Sequence, residues 1–328
     1  MKYKKSIFMI IVIIMVSIVF YISDKLGNKI KKEDVSAWVV DWALQKGLDE
    51  VKEYNLSSVQ LFAAYFDEEG DLFLPQNLID IIENKYKLNE NNKLYITVVN
   101  DIVKNDGSSI QKDSKIIKDI LLQKERREYH INQLVKLVCE GGFDGLDLDY
   151  EKIDYELWNE YANFIDALGK ELKRNKKELR VILEPRSPID KVNLPKEYEY
   201  VMMAYNLYGY HSGPGPKADK EFIKELSKKV NDNLDNARMA FSLGGFDWCE
   251  DGKIKALTYV DANNLAKEND SKLNRDKDSG VLYFDYIDSN GKKHSVWYSD
   301  NETIRIWKET AIRNNINKFA LWRLGKSI

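Results

Sequence analysis

Histidine and cysteine are scarce: three of the first (His130, His211, His294) and two of the second (Cys139, Cys249) in 328 residues. The histidines lie far apart and the cysteines show no ligand spacing, so neither a metal site nor a cofactor is expected. Cys139 ends a predicted helix before the fourth predicted strand, whereas Cys249 follows the seventh. In the architecture argued below these are opposite ends, too far apart for a disulfide. A strong charge of either sign is also missing, since the net charge is −3, and no basic patch interleaved with aromatics stands out. Nucleic acid is therefore not an expected partner. No glycine-rich phosphate loop follows the first predicted strand, which argues against a dinucleotide-binding open sheet. Internal repeats and low-complexity tracts are absent, which excludes a repeat architecture.

What is present suits one large domain. Hydrophobic residues make up 44% of the chain and charged residues 31%, an ordinary balance with ample material for a core. The N-terminus departs from this average. "MKYKK" precedes an uncharged, almost wholly apolar run from Ser6 to Ser23. As a helix such a run reaches roughly 27 Å, just enough for the hydrocarbon layer of a bilayer. No A-x-A-like cleavage site follows in "FYISDKLGNK". Residues 1–23 are therefore expected to be an uncleaved signal anchor, a transmembrane helix, with a cleaved signal and a secreted product as the alternative. Lysines flank the run on both sides, so the positive-inside rule does not fix its orientation.

After a polar linker at 24–34, short apolar segments alternate with amphipathic ones. Strands are predicted at 35–42, 58–66, 93–100, 143–150, 179–185, 200–206, 238–245 and 318–324. Most are apolar along their whole length, as in parallel strands covered on both faces. Helical spacing is clearest at 155–175, where Leu157, Tyr161, Phe164, Ile165, Leu168 and Leu172 recur, and it returns at 125–140 and 219–231. Eight strands with intervening helices predict an α/β fold, the (β/α)8 TIM barrel, over 35–328. A small α+β insertion at about 253–300 interrupts it between strands seven and eight. It contains a short helix near 261–269 and a hairpin around Asn290-Gly291. The chain stops six residues after Trp322, which leaves no room for a closing eighth helix.

The fourth strand carries an unusual load. "GGFDGLDLDYEKI" (141–153) holds Asp144, Asp147, Asp149 and Glu151 among glycines and large apolar residues. Alternation puts Asp147, Asp149 and Glu151 on one face and Leu146, Leu148 and Tyr150 on the other. If the acidic face is the barrel interior, Glu151 lies at the C-terminal mouth, where barrel active sites are built. Three stacked carboxyls cannot all ionise cheaply, so at least one should hold a proton near neutrality, as a general acid requires. A metal site would be the other use of such a cluster, and no histidine supports it.

"DGLDLDYE" resembles the DxxDxDxE signature of glycoside hydrolase family 18, the chitinase-type hydrolases. "MMAYN", with Met203 and Tyr205, resembles the family's M-x-Y-D segment, and "FALWRLG" resembles its last strand with its tryptophan, here Trp322. The resemblance spans roughly 35–325. "TVVN" on the third strand and "HSVWYSD" in the insertion resemble bacterial wall- and spore-associated members. The resemblance implies hydrolysis of β-1,4-linked N-acetylglucosamine glycans assisted by the substrate's own acetamido group, an exception to the two-carboxylate scheme.

Each site residue takes a role from that resemblance. Glu151 is the general acid and base. Asp149 orients the acetamido N–H, and Asp147 shares a proton or hydrogen bond with Asp149. Tyr205 contacts the acetamido group, Trp322 floors the sugar, and Met203, Asn206 and Asp144 are substrate-side candidates. Asn206 replaces the family's aspartate, and the S-x-G-G pattern common on the third strand of chitinases is missing. The first removes a nearby charge and is expected to shift the pH optimum. The second weakens a chitin assignment more than a hydrolase assignment, in favour of a peptidoglycan-type polymer. Trp42, Phe66, Trp248 and Glu184 are further residues near strand ends, and "YGYHSGPGP" (208–216) is a shaped loop beside the groove. The competing function is a glycan-binding, lectin-like module on the same barrel. A polymeric substrate implies a catalytic domain outside the cell membrane, and no protein partner can be inferred.

Overall fold

The computed structural model describes residues 33–83 and 92–325. The anchor expected at residues 1–23 and most of the linker expected at 24–34 lie outside them. Among the described residues no helix is long and apolar enough to cross a membrane.

Eight parallel strands close into a barrel. They are Asp34–Val40, Ser58–Phe66, Lys93–Val103, Gly145–Asp149, Glu178–Leu183, Glu199–Met203, Ala237–Ser242 and Lys318–Leu324. Each pairs with the next, and the first pairs with the last, Val35 opposite Phe319 and Ala37 opposite Leu321. The second strand shows why apolar runs of this kind become barrel strands: eight of its nine residues are buried. Side chains pointing outward join those of the helices in one large core, and those pointing inward form a smaller cluster of Trp38, Ile182, Val201, Met203, Tyr205, Ala240 and Ala320. On the fourth strand Leu146, Leu148 and Tyr150 take the outer side, which leaves Asp147 and Asp149 for the interior.

Helices surround the barrel at Leu44–Val51, Gln76–Glu83, Ser114–Leu122, Lys124–Glu140, Trp158–Arg174, Lys220–Asn233 and Asn301–Arg313. Three start on an aspartate that accepts a backbone N–H three residues on: Asp113 from Ile116, Asp219 from Phe222 and Asp300 from Thr303, each at 2.8 Å. Trp158–Arg174 buries Tyr161, Phe164, Ile165, Leu168 and Leu172, the stripe expected from their spacing. Between strands five and six no helix forms; the connection at 184–198 carries Pro185, Pro188 and Pro195, which remove helix donors. The outer face of the last strand is covered from the front of the chain, because helix Leu44–Val51 packs on both the first and the last strand. Glu50 also accepts the Gly325 N–H at 2.8 Å.

The lobe between strands seven and eight is a five-stranded antiparallel sheet with one helix, Tyr259–Glu268, against it. Its first strand is Gly244–Cys249, so it starts ahead of residue 253. The reason is Gly244: its φ of +69° turns the chain out of the seventh strand, and a Cβ there would lie 2.3 Å from the Leu257 carbonyl oxygen. The hairpin strands are Leu282–Ile287 and Lys293–Ser299, joined by a loop in which Asp288 accepts the backbone N–H groups of Asn290 and Lys292.

The scarce residues are accounted for locally. His130 is buried in an aromatic stack with Phe66, Tyr150 and Phe164, and its Nε2 lies 2.5 Å from the Tyr150 hydroxyl. Burial pushes its pKa down to about 4. Both cysteines are free.

Candidate active site

The strand ends open into a groove of about 680 Å³ at the C-terminal face of the barrel, lined by Asp149, Glu151, Met203, Tyr205, Asn206 and Trp322 among others. Six of the eight site residues expected from the sequence thus meet in one cavity, although they come from the fourth, sixth and eighth strands. The remaining two, Asp147 and Asp144, are placed differently.

Asp147 lies one layer below the groove and is fully buried. Both its oxygens accept from Arg180, Nε to Oδ1 and Nη2 to Oδ2, each at 2.8 Å. The pair is bidentate, the geometry in which arginine binds a carboxylate best. Arg180 also packs over the rings of Tyr95 and Trp38, at 5.1 and 5.9 Å. The expected sharing between Asp147 and Asp149 is therefore replaced by an ion pair between neighbouring strands. Asp144 lies at the opposite end of the strand, five residues before Asp149, or roughly 16 Å. Its carboxylate accepts the Leu94 N–H at 2.8 Å, and its carbonyl accepts the Glu178 N–H at 3.0 Å. There it ties three strands together at the bottom of the barrel, out of reach of the groove.

Asp149 is 7% exposed. Burial first, and then the charge of Glu151, hold its carboxyl well above the usual range. Its Oδ1 is buried and has no hydrogen-bond partner. Such an atom normally costs stability, so its place in a groove lined with polar groups marks it as a receptor for a donor.

Glu151 follows the strand's end and is locked through its backbone. Its N–H donates to Asn100 Oδ1 at 2.9 Å, and Asn100 Nδ2 donates to its carbonyl at 3.0 Å. The side chain is 13% exposed and ion-pairs with Lys112. Lys112 belongs to the "SSIQKDS" segment after the third strand, where its φ is +56° and its N–H donates to Asp101 Oδ1 at 2.8 Å. Burial raises the Glu151 pKa, Lys112 pulls it back, and the charges of Glu184 and Asp101 add to the rise. The three acids are therefore not a free column. One cation, Arg180, neutralises the lowest and another, Lys112, faces the highest.

Tyr205 is 8% exposed, and burial together with the charges of Asp149 and Glu151 keeps its hydroxyl protonated. Trp322 stands edge-on to Phe62 and Trp38, with ring centroids at 4.8 and 5.9 Å, which fixes the plane it presents to the groove. The peptide bonds Phe62–Ala63 and Trp322–Arg323 are cis. Trp42, 58% exposed, and Tyr210 extend the aromatic lining. Phe66 is instead buried in the outer core, and Trp248 donates to the Ser212 carbonyl at 3.1 Å, joining the 208–216 loop to the lobe. Glu184 lies beside Glu151 in an adjoining cavity and accepts the Lys152 N–H at 2.9 Å.

Arg180, Lys112 and Asn100 are the residues that the sequence reading missed. Arg180 carried a signal: it sits two positions before inward-facing Ile182 on a buried strand. Lys112 carried none, being one lysine in a polar loop.

A closed parallel barrel with acids at the C-terminal mouth of its fourth strand places them where barrel folds build their active sites. No protein-family model matches the chain. It is similar to the uncharacterized glycosylase YvbX of Bacillus subtilis (strain 168), 24% identical over 65% of this chain and 66% of that protein. It also resembles the cortical fragment-lytic enzyme of Bacillus anthracis, 22% identical over 72% of this chain and 58% of the relative. The chain thus spans two thirds or less of the length of these curated relatives. Among solved structures, the Bacillus cereus spore cortex-lytic enzyme SleL superposes with a TM-score of 0.73 at 18% identity, covering 90% of this chain and 71% of that one. A class V chitinase from Pseudomonas fluorescens Pf-5 gives 0.74 at 20% identity, covering 90% and 96%. The likeness to chitinase-type hydrolases read from the motifs is upheld by the fold and by the names these relatives carry.

Proposed function

We propose that this chain is a glycoside hydrolase of the family 18 type that cleaves β-1,4-linked glycans containing N-acetylglucosamine, a peptidoglycan-type wall polymer before chitin. The observation that carries this reading is the juxtaposition of an orphaned, buried Asp149 oxygen with Glu151 at the floor of an aromatic groove. Protonated Glu151 gives its proton to the glycosidic oxygen as the bond from that oxygen to the anomeric carbon breaks. The acetamido oxygen of the same sugar attacks the anomeric carbon and forms an oxazolinium ion. Asp149 accepts the acetamido N–H, and that donor together with the positive charge developing beside it favours the ionised carboxylate over the protonated form that burial favours without substrate. Tyr205 donates to the acetamido oxygen, and Trp322 supports the apolar face of the sugar. Water, deprotonated by Glu151, then opens the oxazolinium with net retention. No nucleophile from the protein is needed.

Lys112 adjusts this cycle. Its charge favours ionised Glu151, whereas the first step needs the protonated form. Replacing it with Met removes that pull, so the pKa of Glu151 rises and the alkaline limb of the kcat/KM profile moves to higher pH. An alkaline limb that stays in place in Lys112→Met, measured on an N-acetylglucosamine oligomer, contradicts the role assigned to this lysine.

The substrate reading is tested by mass spectrometry of products from peptidoglycan and chitin digests. Products with N-acetylglucosamine at the reducing end support the assignment, and a muramyl sugar there reassigns the bond. Binding of both polymers without products makes the chain a glycan-binding module. The location outside a membrane, tethered by residues 6–23, belongs to the same proposal, because a wall polymer lies beyond the bilayer. Protease shaving of intact cells should remove the barrel domain if the tether holds.

A further inference from the structure

Two lysines line the groove, and only one has a carboxylate. Lys112 faces Glu151. Lys217, at the end of the Gly/Pro-rich segment, reaches the wall formed by the seventh strand. Its Nζ donates to Ser242 Oγ at 2.9 Å and to the Leu243 carbonyl at 3.2 Å, and it sits 4.9 Å from the centroid of Phe246. An ammonium has three donors, so these two neutral acceptors leave one N–H without an acceptor from the protein. Among the described residues no carboxylate forms an ion pair with it. Burial, assisted by the positive charge of Arg323, pushes this amine down to about 7. A desolvated cation without a counter-charge is costly, and such groups concentrate where their charge is used.

The rest of the groove sharpens the question. Asp41, Asp101, Asp149 and Glu151 all line it, so its own charge repels an anion. A glycan of N-acetylglucosamine alone offers only hydroxyls and amides and has no need of a cation. A sugar carrying a lactyl ether adds one carboxylate wherever that acid is free rather than bound as an amide to a stem peptide, and Lys217 is the one lysine in the lining with no acid of its own. Lys217 lines the same groove as Tyr205 and Trp322.

We propose that Lys217 forms an anion subsite for the free carboxylate of a lactyl-bearing, muramyl-type sugar, and that this subsite selects wall glycan stripped of its stem peptides over chitin. The inference rests on the glycan-hydrolase reading above and names the substrate class that the same groove takes.

The test compares an oligosaccharide alternating N-acetylglucosamine with the muramyl sugar against the same chain methyl-esterified at every lactyl carboxyl. The parent protein should prefer the free acid in kcat/KM by about ten- to a hundredfold, the range of a charge-assisted hydrogen bond. Lys217→Met should bring the ratio close to one whatever its absolute rates, and Lys217→Arg should keep most of the preference. A parent ratio near one, or an unchanged ratio in Lys217→Met, overturns the proposal. If the parent cleaves neither chain, the hydrolase reading fails, and calorimetric titration of both chains decides the subsite separately. There, tighter binding of the acid that disappears in Lys217→Met sustains it, and equal Kd values for acid and ester overturn it.

Discussion

Glu151→Gln lowers turnover of an N-acetylglucosamine oligomer by about a hundred- to ten-thousandfold, the range supplied by a positioned general acid. Glutamine matches glutamate in shape and keeps the backbone clasp with Asn100, which uses only the N–H and carbonyl of residue 151. It has no acidic proton to give to the leaving oxygen. The freed Lys112 is 34% exposed in its side chain and can be hydrated, so the fold does not inherit a buried lone charge. Oligomer binding and the unfolding midpoint should therefore stay near those of the parent. Turnover by the variant that matches the parent would remove Glu151 from the chemistry.

The second large effect is on stability. Arg180→Met leaves the Asp147 carboxylate fully buried with its bidentate partner gone, and breaking such a pair costs about 3–5 kcal/mol. Equilibrium urea unfolding measures it as a fall in the midpoint at a constant slope. Adding Asp147→Asn to the same protein should recover a large part of the loss, since no charge then remains unpaired, and this non-additivity separates a charge effect from a packing defect. A single variant within about 1 kcal/mol of the parent, the value of an exposed pair, would mean that the layer below the groove does not depend on this pair.

What the sequence disclosed and withheld follows from how far each signal reaches. The barrel was legible because a strand covered on both faces must be apolar throughout, and all eight runs became strands at nearly their expected places. The alternation of Asp147, Leu148, Asp149 and Tyr150 separated the inner face from the outer without any knowledge of neighbours. The cations could not be placed that way. Arg180 lies on the adjacent strand, and Lys112 lies in a loop 39 residues from its partner, so only closure of the barrel brings them to the acids. The same closure dismantles the idea of a free stack of three carboxyls. Asp144 fits the sequence motif as well as its neighbours do, yet strand length puts it at the far end of the barrel. Two local features shape the extent of the elements. The three prolines of 184–198 forbid the helix that a regular alternation expects, and Gly244 ends the seventh strand by its positive φ.

The central claim is that the substrate's acetamido group attacks from within the groove, with Asp149 holding its N–H and Glu151 moving the proton. Proton NMR of the first products from a β-linked N-acetylglucosamine oligomer, taken before mutarotation, tests it most directly. The account predicts the β-anomer as the initial product. Initial formation of the α-anomer, which requires water to attack directly from the opposite face, would contradict it.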